Sequence, residues 1–294
     1  MELELATRSE SAAKRLPPQV YFMVSAVFHY LGPAIAVLLF AHVQVLGVAW
    51  LRIFTAAVVF AVWRRPWRLV RRLDRQQRWV LPALAAVLAV MNSAFYLAVD
   101  RLPLSTVGAI EFLGTVILAA TGARTRRNLL ALSLAMGGVV VLTDIRIVNQ
   151  PLGFVFAFAN CVLFMLYVVL GHRIANVEGG SWLGGIDRLG ASMLVAAVLA
   201  APIGLGDAIP TFSHPYWLLV GIAIGICSSV IPYVTDQLAM ARIPRPTFAL
   251  MLAILPASAT AIGAVILSQL PSLQDIGGIV LVILGVGLHS PKEA

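Results

Sequence analysis

A carboxylate within an apolar stretch is the first feature of this sequence that could do chemistry. Glu111 lies in a run that is otherwise fit to cross a lipid bilayer, where a charge costs roughly 2.5–3.5 kcal/mol and calls for a partner or a function. Arg52, in an earlier run, lies at a similar depth if each residue adds about 1.5 Å. We predict that the two face each other across the interior and bind a zwitterion or relay a proton. The alternative is a structural ion pair that fixes helix packing.

Other polar side chains in apolar runs extend this candidate site. Asn92 and Tyr96 are four residues apart, so they share one helix face and could present an amide and a hydroxyl to an ammonium or carboxylate group. Hydrogen bonding between helices is the alternative explanation. His29 and Tyr30 lie in the middle of the first run. They are candidates for proton or substrate binding, with a packing role as the alternative.

Three further polar residues lie late in their apolar runs. Tyr167 and Tyr233 are candidate substrate-binding residues, although a position near the cytoplasmic side also fits an interfacial aromatic belt. Asp236 is at the end of its run, where we expect it to snorkel to water. The sequence has no His, Cys, Asp and Glu pattern with metal spacing, no Ser-His-Asp arrangement on a plausible scaffold and no nucleotide-binding loop. We therefore expect neither an enzyme nor a cofactor.

The composition defines the elements that must position these residues. Of 294 residues, 60% are hydrophobic and 12% are charged, and the mean hydropathy is +0.93. The apolar runs are continuous rather than alternating, which predicts an all-α polytopic membrane protein. We predict ten transmembrane helices at 19–40, 43–63, 79–99, 104–122, 128–144, 151–172, 182–204, 215–237, 246–267 and 273–290.

The basic residues predict the orientation in the membrane. With the N-terminus inside, 17 Lys and Arg residues lie in inside segments and only Arg101 and Arg146 lie in outside ones. The positive-inside rule then predicts a multi-pass cell-membrane protein with both termini cytoplasmic. The net charge of +8 is explained by this distribution, so we expect no nucleic-acid partner. The bilayer and a small solute are the expected partners.

The chain also repeats itself. The segment LAVDRLPLSTVGA (97–109) resembles LAMARIPRPTFAL (238–250), and Arg52 has a counterpart in Arg188. An odd number of spans in each half would insert the second half in the opposite sense, as in secondary transporters with inverted repeats. The predicted organisation is a cytoplasmic segment 1–18 and two five-helix repeats, 19–144 and 151–290.

These motifs resemble a known family. Ten spans in two halves, a basic loop after the second span and the Arg-x-Pro joins at 101–103 and 242–244 resemble the EamA branch of the drug/metabolite transporter superfamily. MNSAFYLAVDRLPL (91–104) followed by AIEFLG (109–114) is most similar to its inner-membrane threonine/homoserine exporter subgroup. The resemblance implies export of a small solute. The chain departs from the subgroup where Leu255 and Gln269 replace glutamates and Thr115 replaces a proline.

The leading hypothesis is a secondary transporter that exports amino acids or related metabolites by alternating access, with proton coupling as an option. Efflux of cationic drugs is one alternative, although Arg52 beside the carboxylate disfavours it. A non-transporting assembly or sensor protein is another, because the second half lacks two carboxylates. The solute, coupling ion and oligomeric state are not defined by the residues.

Overall fold

The computed structural model describes residues 17–70, 77–120, 125–142, 150–177 and 183–288. Most of the predicted cytoplasmic segment, residues 71–76 of the basic loop and the last six residues lie outside these ranges. The described residues are helical and contain no strand. The helices are α1 Pro18–Leu39, α2 Val45–Arg64, α3 Gln77–Val99, α4 Leu104–Ala120, α5 Arg126–Leu142, α6 Pro151–Ala175, α7 Gly184–Phe212, α8 Pro215–Met240, α9 at 245–267 and α10 Leu273–Leu288, with a short helical turn, Trp67–Val70, after α2.

Six helices are long and apolar enough to cross a membrane: α1, α2, α3, α6, α7 and α8. The shorter apolar helices include Leu104–Thr115, Leu255–Leu267 and Leu273–Gly285. An all-helical, polytopic membrane protein is therefore confirmed. The count of ten spans, the inverted repeat and the cytoplasmic position of the termini stay predictions.

Proline residues set several helix starts. Pro18, Pro151 and Pro215 are each the first residue of a helix, where the fixed φ angle suits the helix and the missing N–H would have no partner. The end of α2 is marked by Arg65 with a φ of 50°, and this left-handed residue turns the chain toward the basic loop.

Two helices are irregular. Helix α8 contains a π-helical segment, Ile226–Val230, that ends two residues before Pro232. Helix α9 contains a 3₁₀ segment, Leu252–Ile254, before Pro256. Proline removes an N–H donor from the helical ladder, and π-segments inside α-helices are frequent at functional sites. The segment in α8 faces the candidate site described next.

The core lies where α1, α2, α3, α6 and α8 meet. Helix α1 packs against α8 and α9, α2 against α7 and α8, and α3 against α6 and α7, while α5 and α10 pack together at the side. Tyr30, Tyr96, Tyr167 and Tyr233 are the largest fully buried side chains. Because their hydroxyls need partners in an apolar interior, a polar network is expected at the centre of the bundle.

Candidate solute-binding site

A narrow cavity lies at the centre of the bundle. Its volume is about 10 Å³, roughly enough for one water molecule, so a solute can bind there only if the surrounding helices separate. Helices α1, α2, α3, α4, α6 and α8 all contribute to its wall, which is lined by His29, Arg52, Met91, Asn92, Phe95, Glu111, Asn160 and Tyr233. Five of these residues were predicted as site residues from the sequence.

Glu111 is held on one side of the cavity by three polar side chains. Tyr30 donates its hydroxyl to Oε2 at 2.7 Å, and Asn160 donates its amide to Oε1 at 3.0 Å. His29 Nε2 lies 3.5 Å from Oε2 and forms an ion pair when protonated. Glu111 itself is only 2% exposed. The carboxylate is therefore oriented by α1 and α6 and faces the cavity without a permanent positive charge in contact.

Arg52 is held on the other side by the π-segment of α8. Its Nε donates to Ser229 Oγ and its Nη2 to the Ser228 carbonyl, both at 2.8 Å. In a regular α-helix the residue-232 N–H would bond to the residue-228 carbonyl. Because Pro232 has no N–H, the carbonyl of Ser228 is free to accept from Arg52. The proline thus removes one competing donor from the carbonyl that anchors the guanidinium.

Arg52 and Glu111 therefore face the same cavity, as predicted, but do not contact each other. Both side chains line it, but no ion pair joins them among the described residues. The ion-pair alternative is wrong, because Arg52 turns toward α8 whereas Glu111 turns toward α1 and α6. Similar depth along two helices does not determine the rotation of each helix about its axis.

Aromatic and amide groups connect the two charged sides. The Arg52 guanidinium lies over the Tyr96 ring, 5.3 Å from its centroid. Tyr233 donates its hydroxyl to Asn92 Oδ1 at 3.3 Å and accepts from Arg52 Nη2 at 3.4 Å. Asn92 also donates to the Leu88 carbonyl at 2.6 Å on its own helix. Asn92, Tyr96 and Tyr233 therefore support Arg52 and contribute to the polar wall.

One alternative and one expectation for the second half are wrong. Tyr167 and Tyr233 are fully buried, so the alternative of an interfacial belt does not hold for them, and their predicted role in substrate binding stays a prediction. Asp236 is 1% exposed instead of snorkelling to water, because α1 and α6 cover it. It accepts hydrogen bonds from Ser25 at 2.5 Å and from Tyr167 at 3.1 Å. Tyr167 therefore belongs to a separate pocket around Asp236, outside the cavity wall.

The sequence interpretation also missed three residues. Asn160 holds Glu111, and its signal was an amide inside the apolar run FAFANCVLF (156–164). Ser228 and Ser229 bind Arg52, and their signal was a serine pair four and three residues before Pro232. The described residues contain no group of three His, Cys, Asp or Glu side chains that could hold a metal. The charged and amide side chains that line the cavity suit charged and polar ligand groups.

Comparisons with known proteins bear on what this site serves. The chain is 27% identical to the threonine/homoserine exporter RhtA of Escherichia coli K12 over 284 residues, which cover 94% of this chain and 93% of that protein. It is 28% identical to the RhtA of Salmonella typhimurium over 242 residues, 81% of this chain and 79% of that protein. No family profile matches the chain.

A solved structure supports the fold. A crystal structure of a protein superposes with a TM-score of 0.63 over 92% of this chain and 95% of that chain, at 17% sequence identity. This similarity shows the fold alone. The curated relatives match 94% and 81% of the chain, and both are named as exporters. The resemblance inferred from the sequence motifs is thus confirmed: the chain is a membrane transporter homologous to the threonine/homoserine exporters of the RhtA type, and not an enzyme.

Proposed function

We propose that this protein exports an amino acid of the threonine/homoserine kind, or a closely related zwitterionic metabolite, across the inner membrane. The observation that carries the proposal is that two opposite charges line one cavity from opposite sides. Arg52 and Glu111 line the same space and bind other groups instead of each other. A zwitterion can satisfy both, with its carboxylate toward Arg52 and its ammonium group toward Glu111. The guanidinium is well suited to carboxylates.

The charges in the site favour this solute class over the cationic-drug alternative. A purely cationic solute would leave Arg52 without a counter-charge in a desolvated site. The RhtA relatives, which are threonine/homoserine exporters by name, support an amino acid as the solute.

We further propose that transport proceeds by alternating access between two inverted five-helix halves, 19–144 and 151–290, with ten spans and cytoplasmic termini. Helix packing supports this organisation. If the halves are equivalent, α1 corresponds to α6, α2 to α7, α3 to α8, α4 to α9 and α5 to α10. The contact of α3 with α6 then corresponds to the contact of α8 with α1. The same correspondence relates α4–α6 to α9–α1, and α3–α7 to α8–α2, and all six contacts are present. A site between such halves is typical of secondary transporters.

Counterflow in proteoliposomes tests the solute class on the unmodified protein. Vesicles loaded with unlabelled threonine or homoserine should take up the radiolabelled amino acid from outside. An excess of a 2-amino alcohol, which lacks the carboxylate, or of a 2-hydroxy acid, which lacks the ammonium group, should compete poorly. Both charges contribute to binding in this proposal, so strong competition by the amino alcohol alone would favour cation efflux. Absence of counterflow over a broad panel of amino acids would refute the proposal.

A further inference from the structure

Asp236 is a second buried carboxylate, and it has its own hydrogen-bond partners, which define the Asp236 pocket. Ser25 on α1 donates to Oδ1 at 2.5 Å, and Tyr167 on α6 donates to Oδ2 at 3.1 Å. The side chain is 1% exposed and does not line the cavity that contains Glu111. Both partners are neutral hydroxyls. The pocket therefore contains an ionisable group that the proposed solute site does not use.

The charge of Asp236 is not compensated by a direct partner. Among the described residues, no Lys, Arg or His side chain forms an ion pair with it. A buried carboxylate without a paired cation is costly in an apolar interior. Two hydroxyl hydrogen bonds offset part of that cost, and binding a proton removes the charge altogether. A carboxylate of this kind inside a membrane is typical of proton pathways.

The position of Asp236 links it to the solute cavity. Tyr233, three residues earlier on α8, lines the cavity and lies between the two sites, and its ring is 5.2 Å from that of Tyr167. On α1, Ser25 binds Asp236 and His29 contacts Glu111, and a spacing of four residues puts both on one helix face. Movement of α1 or of the second part of α8 would therefore change both carboxylate environments together.

We propose, on the basis of the export function proposed above, that Asp236 binds the proton that is exchanged for the solute. The Asp236 carboxylate accepts one proton from water on one side of the membrane and becomes a neutral carboxylic acid. It returns that proton to water on the other side when the pocket opens there. Only the O–H bond forms and breaks. The solute occupies the Arg52–Glu111 cavity, so proton and solute use separate groups.

The other titratable groups that face Asp236 are few. His29 interacts with it electrostatically from α1, Tyr167 hydrogen-bonds to it from α6, and Tyr233 lies on its own helix. Helix α7, which also packs against this part of α8, contacts the neighbouring Gln237 through Gly185. A change in pH dependence on substitution of Asp236 must therefore be compared with the effect of substituting His29.

Separate measurements of exchange and coupling test the proposal. Solute counterflow at equal pH on both sides reports solute binding and movement, and uptake driven by an imposed pH gradient reports coupling. The Asp236→Asn protein should retain counterflow and lose the stimulation by the pH gradient. Asp236→Glu should retain both. His29→Gln alters the solute cavity, so its counterflow should fall, but the ratio of gradient-driven uptake to counterflow should match that of the wild type. As a matched control, Asp100→Asn changes an exposed aspartate at the end of α3 and should behave as wild type.

Each outcome decides the question. Stimulation by the gradient that persists in Asp236→Asn overturns the proposal, as does a wild-type protein whose transport ignores the gradient. If the Asn variant loses counterflow or fails to fold, Asp236→Glu decides, and loss of the gradient effect in that variant also overturns the proposal. If His29→Gln loses the stimulation by the pH gradient and Asp236→Asn keeps it, the proton binds to His29 instead. Absence of wild-type counterflow for every amino acid would instead refute the proposed function, which separates the two failures.

Discussion

The two buried carboxylates of this protein have the same chemistry but different surroundings. Glu111 is held by a tyrosine, an asparagine and a histidine and lines a cavity that also contains Arg52. Asp236 is enclosed by two hydroxyls and does not line that cavity. The first arrangement leaves a carboxylate available to a charged ligand group. The second leaves an acid without a charged partner among the described residues.

Helix α8 is the physical origin of this difference. Its π-segment directs the Ser228 carbonyl and Ser229 hydroxyl to Arg52, and this binding keeps the guanidinium away from both carboxylates. Beyond the π-segment, Tyr233 faces the cavity whereas Asp236 contacts α1 and α6. One irregular helix thus separates a site of two opposite charges from a site of one acid.

The largest expected effect is at Glu111. Glu111→Gln retains the shape of the side chain but removes the charge that we assign to the ammonium group of the solute. Loss of a hydrogen bond to a charged group costs about 1.5–3 kcal/mol, so half-saturation in counterflow should require about 10- to 150-fold more solute. Tyr30→Phe is the control, because it removes one hydroxyl bonded to Glu111 and leaves the charge. Unchanged half-saturation in Glu111→Gln would remove this carboxylate from solute binding.

A smaller effect is expected where α1 passes the π-segment. A Cβ added at Gly32 would lie 1.9 Å from Ser228 Oγ and 2.9 Å from the Ser228 backbone nitrogen, so the segment that anchors Arg52 would have to shift. Overpacking of this kind costs about 1–3 kcal/mol. Gly32→Ala should therefore lower the melting temperature in detergent and weaken solute protection against unfolding.

Gly206→Ala is the matched control for this variant. No atom outside the local helix lies within 4 Å of a Cβ added there, and alanine is favoured over glycine in helices by about 1 kcal/mol. Its melting temperature should be equal to or above that of the wild type. Equal melting temperatures for Gly32→Ala and Gly206→Ala would mean that the π-segment tolerates displacement.

The smallest expected effect is at Ser25, and it distinguishes the two forms of Asp236. Ser25→Ala removes the 2.5 Å hydrogen bond to Asp236. A bond to a neutral carboxylic acid contributes about 0.5–1.5 kcal/mol, whereas one to a carboxylate contributes about 1.5–3 kcal/mol. Because we expect Asp236 to be neutral, Ser25→Ala should lower the free energy of unfolding, measured by chemical denaturation, by about 0.5–1.5 kcal/mol. Ser133→Ala, which removes a bond to the Leu129 carbonyl on an exposed helix face, controls for loss of a serine hydroxyl. A loss in the upper range would indicate a charged Asp236.

The sequence predicted the helices well where the apolar runs are long. The predicted spans at 43–63 and 79–99 correspond to α2 Val45–Arg64 and α3 Gln77–Val99, because a continuous apolar run satisfies its backbone only as a helix. The run at 182–204 was predicted too short, since α7 extends to Phe212 through Pro202 and Pro210. The loss of helical hydrogen bonds at these prolines did not end the helix.

The polar residues were found by type, but their partners were not. An ionisable or amide group inside an apolar run is conspicuous in any sequence, which is why Glu111, Arg52 and Asn92 were singled out. Their contacts depend on how each helix is rotated and on which helices become neighbours. Those variables involve residues more than 80 positions apart, as in the bond between Tyr30 and Glu111, and no local pattern encodes them.

The sequence by itself determined that this chain is a helical membrane protein with a costly acid and a buried arginine, because lipid permits few alternatives for either the backbone or a charge. Only the tertiary structure decided that Arg52 binds the π-segment of α8 and not Glu111, and that Asp236 is buried and not exposed. The physical reason is that a side chain near a helix end is covered or left in water by its neighbours. For Asp236 those neighbours, Ser25 and Tyr167, come from two distant helices.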